Sequence, residues 1–119
     1  MLSFTGALKV YLAVQPVDMR KSFNGLSAVV TDHLESDPTR GALYVFTNKR
    51  RNRVKILFWD GTGLWVAAKR LEQGRFSWPG PSSKDQKSIA LTPEALSMLT
   101  DGIDLKGAKM RPWYEREEA

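Results

Sequence analysis

Apolar and polar residues alternate through Ala7–Val14 (ALKVYLAV). Val10, Leu12 and Val14 point one way and Lys9, Tyr11 and Ala13 the other, the two-residue period of a buried or edge strand. Gln15-Pro16 ends it, because proline has no ladder donor. The period then changes. Phe23, Leu26, Val30 and Leu34 recur at three- and four-residue intervals, which predicts a helix over 22–35 with Ser22 as its cap and Ser36-Asp37-Pro38 as its stop. Gly25 inside that helix costs about 1 kcal/mol against alanine. Residues 42–48 (ALYVFTN), 53–59 (RVKILFW) and 64–71 (LWVAAKRL) read as strands, and Arg75–Trp78 as a last short one. Residues 79–88 read as a loop. A helix follows over 92–102, with Thr92 as cap, Pro93 at the first helical position, Glu94 at the positive end and Gly102 as stop.

The order β-α-β-β-β-(β)-α predicts an α+β domain: an antiparallel meander of four to five strands with both helices packed on one face. One globular domain over residues 1–106 and a flexible tail over 107–119 are expected. Strands 53–59 and 64–71 form a hairpin around Asp60-Gly61-Thr62-Gly63, a strong turn signal. A three-residue loop pairs Asp60 with Leu64, Phe58 with Val66 and Ile56 with Ala68, leaving Trp59 opposite Trp65 and Lys55 opposite Lys69. A two- or four-residue loop moves Leu64, Val66 and Ala68 beside Lys55, Leu57 and Trp59. Hydrophobic matching favours the first register.

Charge adds a second pattern. The chain of 119 residues carries a net +5, unevenly spread: residues 40–75 hold nine basic and two acidic residues, the remainder nine and eleven. A +7 segment in an otherwise slightly acidic chain suits a polyanion, since counterion release drives Lys/Arg onto phosphates; a solvated basic surface is the plainer account of the same residues. In the favoured register, lysines and an arginine alternate with indoles on one sheet face, as in platforms that stack bases. Trp59, Trp65 and Leu57 fit equally a second apolar layer. The residues expected to meet nucleic acid are Lys49, Arg50, Arg51, Arg53, Lys55, Trp59, Trp65, Lys69, Arg70 and Arg75, with Arg20 and Lys21 as secondary contacts.

Other chemistries lack their residues. With no cysteine there is no disulfide, thiolate metal site or cysteine nucleophile. The single histidine, His33, lies on or beside a helical apolar stripe, without the partners a zinc site needs. Asp18 is expected to cap the first helix or pair with arginine, and Asp60 to shape a turn. Asp60, Asp85, Asp101 and Asp104 fall in turns, loops or helix ends, unlike a two-metal nuclease cluster. There is no GxxxxGK[ST] loop. No apolar run reaches a bilayer span and the N-terminus lacks a basic signal-peptide start. The expectation is a cytoplasmic, non-enzymatic protein with no cofactor, metal, membrane or small-molecule substrate.

Three stretches, PVDMRKSFNGL (16–26), LYVFTNKRRNRVKILFWDGTG (43–63) and LWVAAKRLEQGRFSWP (64–79), resemble in order the small accessory protein of insertion sequence family sixty-six. That protein is often called TnpB or Orf2-like and is unrelated to the RNA-guided nuclease sharing the first name. The resemblance runs from about residue 8 to 105 and includes LTPEALSMLTDGID. It implies an accessory role in transposition beside a large transposase, and no catalytic role. The motif residues it carries over are Asp18, Met19, Arg20 and Lys21; Arg51, Arg53, Lys55, Trp59 and Asp60; and Lys69, Arg70, Leu71, Arg75 and Phe76. Trp65-Val66-Ala67-Ala68-Lys69 departs from the family, whose members carry a more aromatic run there. The expected partner is DNA; the competing expectation is an adaptor that docks on the transposase or another protein of the element through Leu57, Trp59 and Trp65.

Overall fold

A computed structural model describes residues 8–104 and 109–110. Its strands are β1 (Val10–Ala13), β2 (Leu43–Thr47), β3 (Arg53–Trp59), β4 (Leu64–Arg70) and β5 (Ser88–Leu91), joined in one sheet in the order β4-β3-β2-β1-β5. Helix α1 (Phe23–Ala28) runs on into a π-helical turn (Val29–His33), closed by the Leu34 N–H on the Val29 carbonyl at 3.0 Å. Helix α2 (Pro93–Thr100) follows β5, and β6 (Ile103–Asp104) pairs with β7 (Lys109–Met110). The expected tail over 107–119 lies outside the described residues, except for 109–110.

The α+β class stands, and β2, β3 and β4 form the expected antiparallel meander. Three expectations are overturned. First, the sheet is not antiparallel throughout: β1, read as a buried or edge strand, lies inside it, parallel to β2 and antiparallel to β5. Tight turns force antiparallel neighbours, but the long β1–β2 connection carries a helix and can cross over, so a parallel pair is allowed. Second, Arg75–Trp78 is not a strand. Phe76 and Trp78 are buried beneath the sheet instead, and the Trp78 indole N–H donates to the Ala13 carbonyl at 3.0 Å. Their alternation reports burial rather than pairing. The fifth strand comes from 88–91, largely beyond the stretch read as loop.

Third, the helices lie on opposite faces. Leu26 and Val30 pack with Ala13, Tyr44, Phe46 and Leu57 in one cluster. Leu96 and Leu99 pack with Leu12, Val45, Ile56, Phe76 and Trp78 in another. Adjacent residues of β1, β2 and β3 divide between these clusters, as the two-residue period requires. The sheet is thus the middle of three layers, and its central strand β2 is buried throughout. Thr92 caps α2 as expected, its Oγ1 accepting from the Ala95 N–H at 3.1 Å. Ser22 makes no such bond at α1, and Phe23, read as part of the apolar stripe, is 47% exposed.

The β3–β4 register is the one that hydrophobic matching rejected. Trp59 pairs with Leu64, Phe58 with Trp65, Leu57 with Val66, Lys55 with Ala68 and Arg53 with Arg70. Matching fails as a guide because β3 is covered on both faces, so either register finds apolar neighbours. The turn decides. Asp60 carboxylate oxygens accept from the Thr62 and Gly63 backbone N–H groups at 2.9 Å and from the Trp65 indole at 2.8 Å, while the Asp60 N–H donates to the Gly63 carbonyl. Gly61 supplies the left-handed backbone at φ +102° that this four-residue loop needs.

Candidate nucleic-acid interface

Because β1 and β2 are parallel, their C-terminal ends share one end of the sheet. There β3 begins and β4 ends. Three loops therefore meet: the one after β1, the β2–β3 loop and the one after β4. Backbone bonds join them. The Val17 N–H donates to the Thr47 carbonyl (2.8 Å), Leu71 N–H to Asn52 (2.8 Å) and Phe76 N–H to Arg51 (2.7 Å). Segments 17–21, 49–55 and 70–76 bring nine cations: Arg20, Lys21, Lys49, Arg50, Arg51, Arg53, Lys55, Arg70 and Arg75. Their acids are Asp18 and Glu72. The β5 entry at the far side of this end adds Lys84, Asp85 and Lys87, the last 3.9 Å from Glu35.

The β2–β3 loop is held rigidly. The Asn48 Oδ1 accepts from the backbone N–H groups of Asn52 and Arg53 at 3.2 Å, and its Nδ2 donates to the Asn52 Oδ1 at 2.8 Å. Arg51 adopts the left-handed region at φ 57°, a conformation uncommon for a side chain of its size. Its carbonyl is held by Phe76 and its N–H by the Asn48 carbonyl. Lys49, Arg50 and Arg51 are thus exposed on a backbone fixed from both sides. Asn48 and Asn52 escaped the sequence reading; two asparagines four apart around a basic run were the signal.

The twelve residues expected to meet nucleic acid separate in the structure. Trp59 is on the α1 face and half-buried, while Trp65 is on the α2 face, its indole tied to Asp60 at the distant hairpin turn. The expected alternation of indoles and cations on one face does not exist, because the register shift sends each pair to opposite sides. Lys55 and Lys69 part in the same way. The Lys55 ammonium donates to the carbonyls of Met19 and Lys21, both at 2.7 Å, on the α1 face. The Lys69 ammonium donates to the Thr100 carbonyl at the end of α2, at 2.8 Å. A cation at a helix C-terminus completes its exposed carbonyls. What the structure assembles is Lys49, Arg50, Arg51, Arg53, Arg70 and Arg75, with Arg20 and Lys21 beside them. Leu57, one basis for an adaptor surface, is fully buried.

Lys21 gains its position from Gly25. A Cβ at Gly25 would stand 3.0 Å from the Lys21 Cβ, so the glycine lets the 19–21 segment pass close to α1. Arg53 and Arg70 now face each other across β3 and β4. The bonds of Asn52–Leu71 and Asp60–Gly63 make Arg53–Arg70 a non-hydrogen-bonded pair, the closer kind, with Cα atoms ~4.5 Å apart. Like charges so placed repel, and an anion between them removes the repulsion. Glu72 reaches Arg70 only at 3.5 Å, and both side chains are exposed.

The Thr39 backbone N–H and then its hydroxyl lower the pKa of Asp37, and two other carboxylates are shifted further. Asp18 binds Arg20 through both oxygens, at 2.7–3.1 Å, and that bond to the guanidinium, ahead of the bond to the Arg20 backbone N–H, lowers its pKa to about 2. Asp60 is held well below the usual carboxylate range by the Thr62 backbone N–H first, then by the Trp65 indole and the Gly63 N–H. Groups with depressed folded pKa values contribute stability that is present above the unfolded value and lost as pH falls through the folded one. The melting temperature is therefore expected to fall below about pH 4 partly through these two groups. In Asp18→Asn plus Asp60→Asn the decline between about pH 4 and 2 should be shallower. An unchanged acid limb in thermal melts would mean that neither carboxylate is coupled to folding.

Among the described residues, no three His, Asp or Glu side chains gather where they could hold a metal. His33, read on or beside the apolar stripe, is exposed. Nor, among those residues, is any helix long and apolar enough to cross a membrane.

Comparison with known proteins places this arrangement in a family. No solved structure matches the chain. An uncharacterized protein, y4jC, of Sinorhizobium fredii (strain NBRC 101917 / NGR234) is 38% identical over 112 residues, covering 94% of this chain and 93% of that one. A second uncharacterized protein of the same strain, y4hO, is 37% identical over 97 residues, covering 82% of each. The family model described as IS66 Orf2 like protein matches residues 8–110, a span that contains both helices, the whole sheet and the basic end. The chain belongs to the IS66 Orf2-like family, a family of insertion-sequence accessory proteins.

Proposed function

We propose that this accessory protein binds double-stranded DNA through phosphates at the basic end of its sheet, without stacking on bases. The observation that carries the reading is the convergence of nine cations and two acids from three separate segments on one end of the fold. Lys55 holds carbonyls there. The other cations lie on exposed residues and are aimed from loops and strand ends, which suits a run of phosphates rather than a pocket. The Arg53–Arg70 pair adds a specific reason for an anion to sit between two strands. No enzymatic step is part of this reading.

Fluorescence anisotropy of the protein on labelled terminal-repeat DNA and on a scrambled duplex, across salt concentrations, tests it. Binding is expected on both duplexes and should fall steeply as salt rises. Preference for the repeat would add base recognition to the phosphate contacts. No binding at low salt would discard the proposal. Base stacking is worth about 1–3 kcal/mol per aromatic side chain, or roughly 5- to 150-fold in affinity. Trp65→Ala is expected to change duplex or single-strand affinity by no more than about twofold. A tenfold loss on single strands would restore the stacking platform.

A further inference from the structure

Strand β4 is an edge of the sheet, and among the described residues nothing pairs with its outer side. Edge strands are commonly kept from pairing by short length, bulges, proline or charged side chains, and on this strand the charges are confined to Lys69 and Arg70 at its end. This one runs seven residues, pairs regularly with β3 throughout, and contains the uninterrupted apolar stretch Leu64-Trp65-Val66-Ala67-Ala68. Trp65 is 47% exposed and Ala68 is also exposed. The direction of its free backbone groups follows from the ladder. Asp60–Gly63 and Asn52–Leu71 are bonded pairs, so alternation makes residues 65, 67 and 69 bond inward to β3. The N–H and C=O groups of Leu64, Val66, Ala68 and Arg70 point away from the sheet.

We infer that β4 pairs with β4 of a second copy of this chain, antiparallel and about a two-fold axis through Ala67, making one continuous ten-stranded sheet. Outward groups must meet outward groups, which limits the registers. The one that uses all four sets Leu64 against Arg70 of the other copy and Val66 against Ala68. Ala67 then faces its own counterpart in a non-hydrogen-bonded pair, and Trp65 faces Lys69. The charges fit this direction. The negative end of the strand is the Asp60 turn, whose carboxylate holds the Trp65 indole at 2.8 Å. The positive end is Lys69 and Arg70. Antiparallel pairing sets the cationic end of one copy beside the Trp65 and Asp60 end of the other, and the lysine stem covers the exposed ring while its ammonium stays on the Thr100 carbonyl. Parallel pairing would set Lys69 and Arg70 beside their own copies. In the antiparallel pair the two Arg70 residues stand six residues apart along the strand, about 20 Å. The basic ends then face in opposite directions, so one dimer offers two separate cationic surfaces. The pairing does not depend on the reading of DNA binding, because β4 self-association is measured with no DNA present.

The chain has no cysteine, so single-cysteine variants report the register directly. Opposed residues of a non-hydrogen-bonded pair, with Cα atoms ~4.5 Å apart, fall within disulfide range. Under mild oxidation Ala67→Cys is expected to give a disulfide-linked dimer in high yield, and Ala68→Cys, displaced from its own counterpart, at least about tenfold less at early times. Equal cross-linking of the two variants would overturn the register and with it the two-fold pairing. Sedimentation of the unmodified chain should show a monomer–dimer equilibrium. Val66→Pro removes only an outward N–H, so it should keep its circular dichroism and sediment as a monomer. A parent chain that stays monomeric at all concentrations, with Ala67→Cys not cross-linking, would overturn the proposal and leave the edge to some other strand.

Discussion

Arg50→Glu together with Arg51→Glu is expected to weaken duplex binding by about 100- to 1,000-fold at moderate salt. The double change removes two cations and adds two anions, a swing of four charges within one rigid loop. At roughly 1 kcal/mol for each charge brought against phosphates, four charges amount to about 4 kcal/mol before screening. Each tenfold in affinity is about 1.4 kcal/mol, so a loss of two to three decades follows. Two lost phosphate contacts should also flatten the plot of log affinity against log salt by about 1.8, since each contact contributes ~0.9. The fold should survive. Both residues are exposed, and position 51 keeps a side chain of similar backbone preference at φ 57°; Glu35 already holds such a conformation at φ 54°. Anisotropy titrations of both proteins over a salt series measure the two quantities. Unchanged affinity with an unchanged slope would remove this loop, and with it the proposed interface, from DNA binding.

The elements were legible where one local signal dominated. Thr92-Pro93-Glu94 marks α2 because cap, first-turn proline and acidic residue agree. Strands β2, β3 and β4 were legible because β-branched and aromatic runs are separated by short turns. The layer arrangement was not, because β1, β2 and β3 each carry apolar residues on both faces. A strand that alternates only weakly says that it is covered twice, and Leu43–Thr47, buried at every position, could have indicated helices on both sides. The hairpin register failed for the same reason: apolar matching cannot choose between two apolar faces. Asp60 could have chosen it, since a carboxylate with backbone donors two and three residues on specifies its own loop.

The candidate site was half legible. Charge composition alone picked out 40–75, and most of the cations gathered at the sheet end come from it. Arg20 and Lys21, secondary in sequence, join them only because β1 is parallel to β2, a tertiary fact. The indole platform was read from a register that the turn overrides. Lys55 and Lys69 show the limit of counting charges. Each sits in the basic segment, and each spends hydrogen bonds on backbone carbonyls of this same chain.

Lys55 is therefore expected to behave as a structural residue within a cationic site. Its ammonium joins β3 to the segment that carries Arg20 and Lys21, through two charge-assisted bonds of 2.7 Å to main-chain oxygens. Such bonds contribute about 1.5–3 kcal/mol each when removed, and methionine recovers part of this by filling the path of the lysine stem. Lys55→Met should accordingly cost about 2–3 kcal/mol of stability and lower the melting temperature by roughly 10 °C. Below that transition the salt slope of DNA binding should change by less than about 0.5, against the ~0.9 of a lost phosphate contact. The opposite outcome is informative. A melting temperature unchanged by Lys55→Met, with the slope reduced by a full contact, would mean that Lys55 leaves the Met19 and Lys21 carbonyls to meet phosphate. The interface would then extend onto the α1 face. The expected outcome instead makes Lys55 the brace that lets loops distant in sequence present their cations together.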